Sequence, residues 1–127
     1  MGNIQIDLGG LGGGSGGPLS IVEFVVPVDG SEEYVYTVGD EDVLLLDSSN
    51  NFLVVNLPLA SESTGRKITV GKTDPSYNYI GLRSTPIDGN ELNSDLIGGG
   101  FPYMLYKKNQ TVTILSDGIG WQIISEA

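Results

Sequence analysis

The side chains of this chain that could hold a ligand or do chemistry are sixteen carboxylates, six basic residues, six tyrosines and one tryptophan, Trp121. Histidine and cysteine are both missing. Their absence removes the usual general base, the commonest metal ligand, the thiolate nucleophile and any disulfide. Nucleophilic catalysis would then need a serine or threonine with a lysine base, and no basic residue stands in an S-x-x-K context. Sixteen acids offer many carboxylate pairs of the kind that cleaves glycosides, but acids on a surface mostly serve solvation. The expectation is a non-catalytic protein that needs no cofactor and no metal.

Two segments gather hard oxygen ligands of the type calcium takes, "DEDVLLLDSSNN" at 40–51 and "DGNELNSD" at 88–95. The second starts as Asp88-x-Asn90 but places Leu92 and Asn93 where an EF-hand loop wants an oxygen ligand and then glycine, so that motif fails. Turn formation explains the same Asp, Asn and Gly residues. Tyr77, Tyr79, Tyr103 and Tyr106 are the candidate ligand-binding aromatics, a platform for sugars or for a partner, set against the commoner use of strand aromatics in cores and cross-strand pairs. Gly12, Gly14 and Gly17 formally satisfy G-x-G-x-x-G, yet Pro18 follows and no helix pattern opens there, so no phosphate site is read.

The elements that must position these residues are strands. Apolar and β-branched runs at 21–28, 33–38, 42–47, 52–58, 67–72, 79–84, 103–108 and 111–124 are separated by Gly, Asp, Asn, Ser and Pro clusters, and no helical period lasts three turns. This predicts an all-β fold: a compact sandwich, jelly-roll or barrel-like module. "LLL" at 44–46 and "LVV" at 53–55 are apolar on both strand faces, as expected of strands covered from two sides. Either they are central strands of an ordinary core or a neighbouring subunit covers one side.

The closing stretch "TVTILSDGIGWQII" predicts a hairpin. Asp117 folds back on its own backbone, Gly118 and Gly120 supply positive φ, and alternation puts Val112 with Ile114 on one face and Trp121 with Ile123 on one face of the returning strand.

At 127 residues one domain is expected, and it can bury roughly two-thirds of its unfolded surface. Residues 9–17, "GGLGGGSGG", have linker composition, which divides the chain into an extended glycine-rich arm at 1–20 and an all-β domain at 21–127. No signal-peptide pattern and no apolar run of membrane length is present, so a soluble protein away from membranes is expected.

The net charge of −10 is unevenly placed: residues 1–65 hold ten acids and no lysine or arginine, while residues 66–127 hold six of each sign. Such a field repels phosphate backbones, and nucleic-acid binding is not expected.

The order of segments carries a resemblance. Tyr36 to Val38, the Asp-ended apolar strand Val43 to Asp47, and the Leu-Pro-ended strand Val54 to Pro58 come first. Gly65 to Val70 ("GR-x-x-x-V"), Ile87 to Gly89 ("I-D-G") and Val112 to Trp121 ("V-x-x-x-SDG-x-x-W") follow. Over about residues 34–124 the chain resembles a β-rich module of bacteriophage virion-surface proteins. The resemblance implies a non-catalytic structural protein, a homotrimer on the outer surface of the phage particle after synthesis in the host cytoplasm. The expected role is capsid decoration or head fibre, with other virion proteins such as the major capsid protein as partners. The alternative is a tail-fibre or tail-tip module that binds a receptor or carbohydrate. Residues 1–33 lie outside it, and Leu8, Leu11, Pro18, Leu19, Ile21, Val22 and Phe24 are expected to anchor the chain.

Overall fold

The computed structural model describes residues 18–84 and 103–127. They form nine strands: β1 (Ile21–Val25), β2 (Tyr34–Thr37), β3 (Val43–Asp47), β4 (Leu53–Leu57), β5 (Lys67–Lys72), β6 (Ile80–Ser84), β7 (Tyr103–Leu105), β8 (Thr111–Ser116) and β9 (Trp121–Glu126). One 3-10 turn, Ala60–Glu62, lies between β4 and β5. The all-β expectation holds among the described residues. The closed-barrel expectation does not: the strands make two open sheets, β1-β3-β5-β8-β9 and β2-β4-β6-β7.

The pairing is also not that of an antiparallel jelly roll. From β1 to β6 the chain alternates between the two sheets, so β1, β3 and β5 run parallel in one and β2, β4 and β6 run parallel in the other. The result is a coil of three rungs, each made of one strand from each sheet. The antiparallel strands β7, β8 and β9 then close the far side of both sheets.

Between the sheets lies one core. Leu44, Leu46, Ile68, Val70, Val112, Ile114 and Trp121 enter it from the five-stranded sheet, and Leu53, Val55, Leu57, Ile80, Leu82 and Leu105 from the four-stranded one. On β1 and β2, Val22, Phe24, Tyr34 and Tyr36 pack against its open end, with the Phe24 ring 5.5 Å from Tyr34 and 5.2 Å from Tyr36. The unbroken runs "LLL" and "LVV" now have a cause. Leu44, Leu53 and Val55 face the core, while Val43 and Leu45 form a second cluster with Leu19 on the opposite face of the sheet. Their burial is reached within the single chain, so a covering subunit is not needed to explain them.

The closing hairpin forms as β8 and β9, with a register shift between Thr113 and Ile114. Asp117 Oδ1 accepts from the amides of Ile119 at 2.8 Å and Gly120 at 2.9 Å, which draws the carboxyl below its ordinary range. Gly118 takes φ +90°; Gly120, expected to do the same, is not among the positive-φ residues, and the turn needs left-handed backbone at one glycine only. Beyond the turn the Trp121 indole donates to the Pro58 carbonyl at 3.1 Å, and the Ser116 hydroxyl donates to the Ala60 carbonyl at 2.6 Å. The hairpin therefore clamps the 3-10 turn that links the second rung to the third.

Candidate functional site

Two places on the fold present residues that the core does not use. The first is the outer face of the four-stranded sheet. Registers Tyr34–Leu53, Leu53–Ile80 and Ile80–Leu105 place those residues inward. Alternation therefore turns the preceding or facing positions outward, as a row of Glu33, Phe52, Tyr79 and Tyr106. Next to it lies Val35, Val54, Gly81 and Met104, and then Thr37, Asn56 and Arg83.

Within the first row Phe52 and Tyr79 stack at 4.6 Å, and the Tyr79 hydroxyl bonds the Glu33 carboxylate, whose acceptor oxygen and charge raise the tyrosine pKa. In the last row Arg83 Nε donates to Asn56 Oδ1 at 2.6 Å. Between these ends, Glu33, Val54, Tyr79, Gly81, Arg83 and Met104 line a depression of about 190 Å³. Gly81 keeps it open, since a Cβ there would stand 3.1 Å from Met104 Sδ and 3.9 Å from the Tyr79 ring. An acid at one end, a guanidinium at the other and an apolar floor suit one uncharged, ring-sized group.

The four tyrosines read from sequence do not converge. Tyr79 and Tyr106 share the outer row, close enough for Tyr106 to add to the rise in the Tyr79 pKa. Tyr77 is exposed on the preceding turn. Tyr103 faces inward: burial, then the Glu126 carboxylate it bonds, pushes its hydroxyl up to about 12. Sequence reasoning missed Glu33, Phe52, Gly81 and Arg83, because they meet through strand register and not through spacing. Stacking also spends one face of the Tyr79 ring on Phe52, leaving less of the flat platform the tyrosines promised.

The second place is the first rung. β1 and β2 are the outermost strands of their sheets, and among the described residues no strand pairs beyond either. Ile21, Val25, Val28 and Val35 are 52%, 58%, 79% and 46% exposed there. Of the residues expected to anchor the chain, Pro18 and Ile21 are exposed, whereas Val22 and Phe24 pack on the core and Leu19 packs on Val43 and Leu45. Leu8 and Leu11 lie outside the described residues.

Away from both places the fold buries a charge pair that sequence reasoning also missed. Lys72 Nζ bonds Asp74 Oδ2 at 2.8 Å, and the lysine is fully buried. The same nitrogen donates to Ser48 Oγ at 2.7 Å, and that hydroxyl lies 2.7 Å from the Asn78 carbonyl. Burial pushes the Asp74 carboxyl up. The Lys72 ammonium, the Ser76 hydroxyl and the Ser48 amide outweigh it, and the carboxyl settles at about 2. A serine beside a lysine has the parts of a nucleophile and its base, but here both are sealed from solvent and the ammonium is held by Asp74. The group pins the turn after β3 to the turn after β5.

Among the described residues no three carboxylates gather as a metal site. In the 40–51 segment Asp42 Oδ2 accepts from the Ser20 amide at 2.8 Å, tying the start of β1 to the start of β3, and Asp47 Oδ1 accepts from the Ser49 amide at 2.9 Å, which is turn chemistry. The 88–95 segment lies outside the described residues. A comparison with known protein families finds no match, and a comparison with curated proteins finds none either.

Proposed function

We propose that this chain is a non-catalytic structural protein of a bacteriophage virion surface, a capsid decoration or head-fibre protein that docks through its N-terminal region and assembles as a homotrimer. The observation that carries the docking part is the first rung, which no described strand caps. Coils of stacked rungs need polar caps at their ends to stay soluble, and here the end carries four exposed apolar side chains next to the glycine-rich segment. The virion assignment rests on the segment order described above, and an acidic chain suits a place outside a DNA container.

The test is co-sedimentation of the full-length chain and of a chain lacking residues 1–20 with phage capsids, alongside the native mass of each. The proposal expects three times the 13.4 kDa protomer mass, capsid binding by the full chain, and its loss on truncation. A truncated chain that still decorates capsids removes the N-terminal anchor.

The depression at Gly81 favours a second reading, a tail-fibre or tail-tip module that binds a receptor carbohydrate. Glycan-array binding that Tyr79→Ala abolishes supports that reading; silence on the array together with capsid binding removes it.

A further inference from the structure

In a parallel pair, alternate residues direct their backbone groups to the same side. The Ser20 carbonyl and the Val26 amide of the first rung bond toward β3, so Val22 and Phe24 do likewise and Ile21, Glu23 and Val25 turn theirs to the edge that no described strand pairs. These three residues also point their side chains to the outer face, where all are exposed. An edge of this kind is a template for another strand.

The charge around it is predominantly negative. Residues 18–42 contain seven acids and no lysine or arginine. Arg66 approaches this region, bonding the Gly39 carbonyl at 2.7 Å and the Glu41 carbonyl at 2.8 Å. Glu23 stands mid-edge, flanked on the outer face by Ile21 and Val25.

From these observations we propose that β1 takes an extended segment of another protein as a sixth strand of its sheet, and that this segment alternates apolar and basic residues. Its apolar side chains extend the inner layer beside the half-buried Val22 and Phe24. Its basic side chains lie on the outer face, with charged heads at Glu23 and aliphatic stems over Ile21 and Val25. A second copy of the same edge would set seven acids against seven, which the partner's opposite charge avoids. The inference rests on the docking reading above and adds to residues 1–20 a second contact, the β1 edge, with the chemistry of its partner.

The experiment titrates the full-length chain into a fluorescein-labelled nonapeptide of strictly alternating valine and lysine, valine at both ends, and follows amide exchange residue by residue. Two control peptides accompany it: one with glutamate in place of every lysine, and one of unchanged composition with its lysines gathered in a single block ahead of its valines. The expected result is saturable binding that weakens at least tenfold for each control, with exchange slowed at Ile21, Glu23 and Val25. Val25→Pro removes one edge donor without touching the β3 pairing, and Glu23→Lys reverses the mid-edge charge. Each should weaken binding at least tenfold while the far-ultraviolet spectrum stays that of the parent.

Equal binding of the block peptide, or by either variant, overturns the proposal. So does protection of the three amides in the dilute free chain, which would place residues 1–17 on the edge, and protection that grows with protein concentration, which would place a second copy there. A chain that decorates capsids but ignores the peptide loses the edge mechanism alone. One that binds the peptide but no particle keeps the edge and loses the virion reading.

Discussion

At the scale of single residues, the most constrained group is Lys72 with Asp74, Ser48 and Ser76. An ion pair sealed from water gains little over apolar residues of the same shape, yet removing one partner strands the other charge. Lys72→Met should therefore cost about 3–5 kcal/mol in urea unfolding, and adding Asp74→Asn to it should recover part of that loss. If the double variant is as unstable as the sum of the singles, the two residues do not act as a pair. The Asp74 carboxyl also sets an acid limit. Its folded value of about 2 lies below the ordinary 3.8, so its contribution is complete above about pH 4 and is lost as pH falls toward 2. The shift corresponds to about 2 kcal/mol. Unfolding free energy measured between pH 5 and 2 should fall by about that much more in the parent than in Asp74→Asn.

Among the elements, the β8–β9 hairpin ties the edge of the five-stranded sheet to the 3-10 turn after β4, and its turn and the grouping of its faces are legible in the sequence alone. Asp117 and Gly118 announce the turn, and alternation groups Val112 with Ile114 and Trp121 with Ile123, the faces that the fold turns to its core. What the sequence could not show is where Trp121 lands, because Pro58 is brought to it only by the coil. The substitution Trp121→Ala should cost about 3–5 kcal/mol, since it empties a fully buried site and leaves the Pro58 carbonyl without its donor. Gly118→Ala meets two obstacles, a φ of +90° and a Cβ only 2.9 Å from Thr64 Oγ1. Thermal melts should place it below the parent by about 1–3 kcal/mol. Adding Thr64→Ser to Gly118→Ala should restore little, because the hydroxyl that crowds the site remains. The candidate site is less legible. Tyr79 and Tyr106 stand out in the sequence, but Glu33, Phe52 and Arg83 join them through registers between strands, and no local pattern records a register.

For the molecule as a whole, the same separation holds between what patterning shows and what winding decides. Strand positions follow from alternation and turn residues, but alternation does not distinguish a hairpin partner from one a full rung away. The unbroken runs at 44–46 and 53–55 were the available signal for parallel strands covered on both sides. A fixed repeat length would have completed it, but parallel partners stand 22 and 26 residues apart in one sheet and 19 and 27 in the other. Unequal rungs erase the period by which a coil is normally recognised. Winding also gathers charge. Because rungs stack in chain order, the stretch that builds the first rung, residues 18–42, holds seven acids and no lysine or arginine, and Arg66 reaches it from the start of the third rung. Repulsion among exposed acids is screened once salt shortens the Debye length to about 10 Å at 0.1 M. The chain should therefore melt a few degrees higher in 0.2 M than in 0.01 M sodium chloride at pH 7, by an amount set mainly by the first rung. The variant Glu32→Lys, Asp40→Lys, which places cations at two exposed positions of that rung, should flatten the salt dependence. The same pair of changes at Asp117 and Glu126, on the opposite side of the coil, should leave it nearly intact. Equal flattening from both ends would mean that the −10 total matters and its placement does not.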